Sequence, residues 1–143
     1  MARRDHPFPG DDVKPALVVT ARLTLPTPKR VIEEGIAVVS QLDVRGDRGN
    51  IKSIALLPNV LIKEAAREQG ACEVWHIDRD GSVTERGFTN AWIINAEGQL
   101  VTRQAENSIL NEITRCRLIE LEKEREIKVQ ERPFTLNEAK SAR

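Results

Sequence analysis

Asn50-Ile51-Lys52-Ser53-Ile54-Ala55-Leu56-Leu57-Pro58-Asn59-Val60-Leu61 is the stretch on which the reading of this chain turns. A lysine sits inside an apolar run that passes straight into a helix. Pro58 suits a first helical turn, where its missing N–H is no loss. From Asn59 to Gln69 the apolar positions Val60, Leu61, Ala65 and Ala66 recur at helical spacing, and Gly70 supplies the stop. A lysine just before such a helix is an odd choice if packing is the only aim. An amine held in an apolar pocket loses solvation of its charged form, so its pKa falls and it becomes usable as a nucleophile. The alternative is a side chain that snorkels from a strand edge to water, since few lysines are fully buried.

Upstream, residues 16–23 (Ala-Leu-Val-Val-Thr-Ala-Arg-Leu) are β-branched and read as a strand, ended by Leu25-Pro26-Thr27-Pro28. Residues 31–35 read as a short polar bend and 36–40 as a second strand. Arg45-Gly46-Asp47-Arg48-Gly49-Asn50 is a glycine-bearing loop that delivers Lys52. It lacks a Gly-Lys-Ser/Thr at phosphate-loop spacing, so it reads as a plain loop. The first fourteen residues are polar and turn-rich, the composition of a frayed terminus.

Downstream, residues 72–78 read as a strand and Arg79-Asp80-Gly81-Ser82 as a hairpin turn leading to Val83-Thr84-Glu85. His76 alternates with Trp75 and Ile77 and is expected to face solvent. Residues 90–94 and 99–102 pair as a further hairpin across Asn95-Ala96-Glu97-Gly98. Asn111 caps a helix from Glu112 to about residue 126, with Ile113, Leu118, Ile119 and Leu121 as its apolar stripe. A short strand follows at 127–130. Thr135-Leu136-Asn137-Glu138 is a capping box opening a final helix that runs off the chain at Arg143. A capped start without an end reads as a truncation.

With 143 residues, 40% of them apolar, the chain fits one domain with a modest core. Acidic and basic residues balance at 22 each, so no overall field points to nucleic acid or membrane, and the scarcity of aromatics argues further against base stacking. Cys72 and Cys116 lie far apart without a Cys-x-x-Cys motif, which speaks against structural zinc and for reduced thiols in a cytoplasmic protein. No apolar run approaches a transmembrane length, and the N-terminus has no hydrophobic signal region. No Ser/His/Asp set stands in a supporting motif.

Four segments resemble, in order and spacing, the class IV (fold-type IV) pyridoxal-phosphate aminotransferases, which include D-amino-acid (D-alanine) and branched-chain transaminases. They are Asn-Ile-Lys-Ser-Ile-Ala-Leu-Leu-Pro-Asn-Val at 50–60, Glu85-Arg86-Gly87-Phe88-Thr89-Asn90-Ala91-Trp92, Leu100-Val101-Thr102, and Leu110-Asn111-Glu112-Ile113-Thr114-Arg115. The likeness runs from about Arg4 to the last residue. It implies an α+β fold, part of the larger C-terminal domain of the D-amino-acid aminotransferase-like fold, with mixed strands and two to three helices.

The resemblance also implies the chemistry. The cofactor would be pyridoxal 5′-phosphate, and the reaction amino-group transfer between an amino acid, D-alanine-like favoured, and a 2-oxo acid. Lys52 matches the lysine that forms the Schiff base with the cofactor and shuttles the α-proton. Glu85 matches the carboxylate on the pyridine nitrogen, where an anion keeps the ring protonated and electron-accepting. Thr89 falls among the cofactor contacts. Ile113 and Thr114 match the phosphate contact at a helix N-terminus, whose free N–H groups suit an anion.

Arg4-Asp5-His6 followed by Phe8-Pro9 resembles the strand that traps a substrate carboxylate in D-amino-acid transaminases. Residues i and i+2 of an extended segment share a side, so Arg4 and His6 would grip that carboxylate together. Members of the family are homodimers that carry an N-terminal domain before the matched region and the remainder of the C-terminal domain after it. By that comparison residues 1–14 are the remnant of an interdomain, substrate-binding segment, and 15–143 an incomplete C-terminal domain. Glu112 departs from the pattern, standing where the family usually has glycine. Trp92 replaces the usual Phe or Tyr. A branched-chain aminotransferase and a catalytically inactive, truncated remnant of the family are the alternative expectations.

Overall fold

The computed structural model describes residues 8, 10–125 and 127–142. The chain divides into two units, residues 1–33 and 34–143. In the first, the strand expected over 16–23 does not form, and Leu17, Val18, Val19 and Leu23 are exposed. β-branched residues favour an extended backbone, but a strand exists only where a neighbour takes up its N–H and C=O groups. No strand pairs with this segment among the described residues. The polar bend expected after it is instead a short helix, α1 (Lys29–Glu34), whose first turn is closed by the Val31 N–H donating to the Pro28 carbonyl at 3.0 Å. Gly35 follows it at φ +75°, a backbone angle that glycine tolerates at helix ends.

The second unit is built from two three-stranded sheets, each holding one parallel and one antiparallel pair. In the first, β1 (Val38–Leu42) lies parallel to β2 (Glu73–Ile77), and the crossover between them carries α2 (Leu57–Glu68). The helix starts at Leu57 with Pro58 in its first turn, and its stop comes at Gln69-Gly70, as the spacing of apolar residues predicts. Strand β3 (Val83–Arg86) returns antiparallel to β2 across the Asp-Gly turn, where Gly81 sits at φ +83°. In the second sheet β4 (Ile93–Ile94) and β5 (Leu100–Thr102) form the expected hairpin. The chain then crosses through α3 (Ile113–Arg125) to β6 (Val129–Glu131), parallel to β5.

Two clusters of buried apolar side chains hold the unit. Val83, Ala91, Ile93, Val101 and Phe134 form the larger, with Trp75 and Ile77 against it. The Trp75 and Phe134 rings meet edge to face with centroids 6.1 Å apart. Ala66, Ala71 and Val74 form the smaller, with α2 laid on β1 and β2. The capping box at Thr135 forms, its hydroxyl accepting from the Glu138 N–H at 3.2 Å and opening α4 (Leu136–Ser141). That helix does not run off the chain: the Ala142 N–H turns back to the Ala139 carbonyl and ends it.

The β2–β3 ladder is irregular in a way that positions the site. Trp75 pairs with Arg86 and Ile77 with Val83, so two residues, Thr84 and Glu85, stand opposite the single His76. Such a bulge re-aims a side chain locally. Both Thr84 and Glu85 are buried as a result.

Candidate active site

Glu85 is buried and held through both of its carboxylate oxygens. One oxygen, Oε1, accepts from the Asn90 amide at 2.9 Å and from the Leu110 N–H at 2.8 Å. The other, Oε2, accepts from the Arg45 guanidinium. Arg45 is itself clasped by both oxygens of Asp43, at 3.0 and 2.7 Å, and donates to the Ser108 carbonyl at 3.1 Å. Thr84 completes the ring by donating to Asp43 Oδ2 at 2.7 Å. The loop after β1, which reads in sequence as a plain connection, is therefore a rigid clamp under Glu85. The sequence did carry a signal: Asp43 and Arg45 are opposite charges two residues apart, beside the lysine of interest.

Burial pushes the Glu85 carboxyl above its ordinary range, and Arg45 only partly opposes that shift. Asp43 behaves differently. Burial pushes it up as well, but its bonds to Arg45 outweigh this and hold it below the usual carboxylate range.

His76 corrects an expectation. It does not face solvent; its side chain is completely buried, and neither ring nitrogen has a hydrogen-bond partner among the described residues. Burial, aided by the nearby Arg45 charge, lowers its pKa from 6.5 to about 4, against the opposing pull of Asp43 and Glu73. Between about pH 4 and 6.5 the unfolded chain takes up a proton that the folded chain refuses. Stability should therefore fall as pH drops through that window, by about 3 kcal/mol at most from this group. In His76→Leu this part of the slope should vanish, as read from urea midpoints at pH 7 and pH 5.

The same loop presses against residues 107–110. Asn50 donates its N–H to the Asn107 carbonyl at 3.1 Å. A Cβ on Gly49 would lie 2.6 Å from the Ser108 carbonyl oxygen, and backbone cannot step aside cheaply. Gly49→Ala should cost about 1–3 kcal/mol, measurable as a lowered denaturation midpoint.

Lys52 lies between this clamp and α2. It is not enclosed as the sequence suggests: the side chain is 76% exposed, with Nζ 3.3 Å from Glu112 Oε1. Lys52 and Glu85 nonetheless line one hollow of about 490 Å³, a volume ordinary for small-molecule sites. Arg48, Gly87, Phe88, Thr89 and Glu112 border it, with Leu56, Pro58 and Asn59 from the start of α2. The Asn59 amide fixes that end by donating to the Gly87 carbonyl at 2.7 Å. Of the residues singled out in the sequence, Lys52, Glu85 and Thr89 meet at this hollow. Ile113 and Thr114 are exposed in the first turn of α3, next in sequence to Glu112 but outside the lining. Arg4 and His6 lie outside the described residues. No cluster with metal-ligand chemistry occurs among the described residues, and none of their helices is long and apolar enough to cross a membrane.

The aldehyde and ring ends of pyridoxal phosphate fit what is present. An amine and a buried carboxylate with raised proton affinity share one hollow. At the start of α3 the fit is poorer, because Glu112 brings a negative charge there.

Comparison with known proteins gives a consistent picture. The family model described as amino-transferase class IV matches residues 2–143. A D-alanine aminotransferase of Listeria monocytogenes is 37% identical over 139 residues, covering 97% of this chain and 47% of the relative. Among solved structures, the branched-chain amino acid aminotransferase of Escherichia coli superposes with a TM-score of 0.62 at 26% identity, over 76% of this chain and 37% of that one. An aminotransferase of Brucella abortus bound to its cofactor PLP shares the fold at a TM-score of 0.71 and 22% identity, over 85% of this chain and 43% of the other. The chain thus spans about half the length of the curated relatives it matches. Matched by that family model over nearly its whole length, this chain belongs to the class IV aminotransferases.

Proposed function

We propose that this chain carries the lysine-bearing part of a pyridoxal-phosphate aminotransferase site, moving an amino group between a D-alanine-like amino acid and a 2-oxo acid. The observation that carries the reading is that Lys52 and Glu85 line the same hollow. Residues 15–143 then form part of the family's larger domain, and Arg4 and His6 of the leading segment grip the substrate carboxylate.

When bound, pyridoxal phosphate supplies an electron sink for the charge left by α-proton removal. The chain's own residues do the rest. The Lys52 amine would hold the cofactor at its aldehyde end and would carry the α-proton on Nζ. Glu85, fixed by Arg45, Asn90 and the Leu110 N–H, holds a proton at the ring nitrogen. Its raised proton affinity suits sharing that proton. Thr89 borders the hollow and offers a hydroxyl, and Thr114 offers another donor at the start of α3.

The D-alanine reading draws on relatives named D-alanine aminotransferases at 36–37% identity. The branched-chain reading draws on solved structures at lower identity. A half-reaction separates them. The chain loaded with cofactor and mixed with D-alanine should lose its visible band and release pyruvate, whereas L-leucine should leave the band in place. Bleaching by L-leucine alone supports the branched-chain alternative, and bleaching by neither supports an inactive remnant.

A further inference from the structure

Glu112 is the one acid of the hollow that no clamp explains. Its Oε1 is 3.3 Å from Lys52 Nζ, and its side chain is only 24% exposed. Its carbonyl accepts from the Cys116 N–H at 3.0 Å, so the residue stands at the opening of α3. Its carboxylate borders the same hollow as Glu85, and its charge adds to the forces that raise the Glu85 pKa. A helix start attracts anions through its unpaired N–H groups and dipole. Here a carboxylate of the chain stands beside that start, turned toward Lys52. Glu112 therefore confronts any ligand that arrives with an anionic tail, while leaving a neutral tail untouched.

We propose that Glu112 is a specificity-determining residue that sets this hollow against phosphorylated aldehydes, so that unphosphorylated pyridoxal competes with pyridoxal phosphate for Lys52. The proposal rests on the reading that Lys52 condenses with an aldehyde of this class. In that step the ammonium loses a proton to water, and the nitrogen lone pair forms a C–N bond to the aldehyde carbon. The carbonyl oxygen then leaves as water when the C=N bond closes. Nothing is oxidised or reduced.

A carboxylate within several ångströms of a phosphate dianion is repelled by a factor of about ten or more in affinity, even with solvent-like screening. Arg45, Arg48 and Arg86 border the hollow and attract the phosphate, but they do so in the wild type and in any Glu112 variant alike. Comparing variants therefore isolates the carboxylate.

The test titrates the full chain with pyridoxal phosphate and, separately, with pyridoxal, following the visible band that appears on condensation with an amine. The variants are Glu112→Gln, which keeps the shape of the side chain, Glu112→Gly and Lys52→Ala. The wild type should bind the two aldehydes with comparable affinity. Both Glu112 variants should bind pyridoxal phosphate about tenfold more tightly or better, with pyridoxal changed by no more than about twofold, and added salt should shrink the gap. Equal shifts for both aldehydes, or no shift for either, overturn the proposal while a band that requires Lys52 still supports the proposed function. A chain in which neither aldehyde gives a band that depends on Lys52 overturns both together.

Discussion

Lys52→Ala should take up pyridoxal phosphate without developing the visible band that the wild-type chain shows. The expected loss is complete, because an amine that bonds covalently to the aldehyde has no partial substitute. Lys63, the next lysine in the sequence and part of α2, is committed elsewhere, donating to the Cys72 carbonyl at 2.8 Å and to Glu73 Oε1 at 2.7 Å. Folding should be unaffected. The Lys52 side chain is 76% exposed and its ion pair with Glu112 is of the surface kind. Such pairs contribute about 1 kcal/mol or less. Lys52→Arg should lose the band as well, which separates the chemistry of a free amine from the mere presence of positive charge. A band of wild-type strength in either variant would remove Lys52 from the account.

Arg45→Met should produce the largest loss of stability. Arg45 bridges Asp43 and Glu85, and removing one member of a shielded charge cluster leaves the others uncompensated. That situation typically costs about 3–5 kcal/mol. The pH dependence has a definite sign. Arg45 is the chief influence holding the Glu85 pKa down against burial, so without it that pKa rises further. As pH is lowered toward the carboxylate range, folded Arg45→Met then binds a proton at Glu85 before the unfolded chain does, and the penalty shrinks. Denaturant midpoints at pH 8 and pH 5 should show a larger deficit at pH 8. Adding Glu85→Gln should recover part of the deficit at pH 8 and flatten the difference. A deficit independent of pH would mean that Arg45 acts through packing alone.

The parts of the fold written in local pattern were legible: α2 with Pro58 at its start, the Asp80-Gly81 turn, the hairpin across 95–98 and the Thr135 cap all follow from spacing and turn chemistry. What depends on distant partners was not. Residues 16–23 have strand composition but pair with no strand among the described residues, and the parallel pairings of β1 with β2 and β5 with β6 are closed by crossovers that no short window reveals. His76 looked outward-facing because alternation assumes that one face of the sheet is open, whereas β2 is the central strand of its sheet and Asp43, 3.6 Å from His76 Nδ1, and Arg45 lie over that side chain. The hollow was half legible. The Lys52 and Glu85 segments stand out by resemblance, but Arg45, which fixes Glu85, lies in a loop whose glycines suggest looseness, whereas Gly49 is there for close approach. Lys52 is not buried for a related reason: its apolar neighbours in sequence, Ile51 and Ile54, are themselves exposed.

The central claim is that a single amine of this chain, Lys52, meets the cofactor aldehyde in the hollow that it shares with Glu85. Borohydride reduction of the chain with a stoichiometric amount of pyridoxal phosphate, followed by proteolysis and peptide mapping, tests it most directly. The account predicts one reduced adduct, on the peptide containing Lys52, and its loss in Lys52→Ala. Label spread over surface lysines, or concentrated on Lys63, would contradict it.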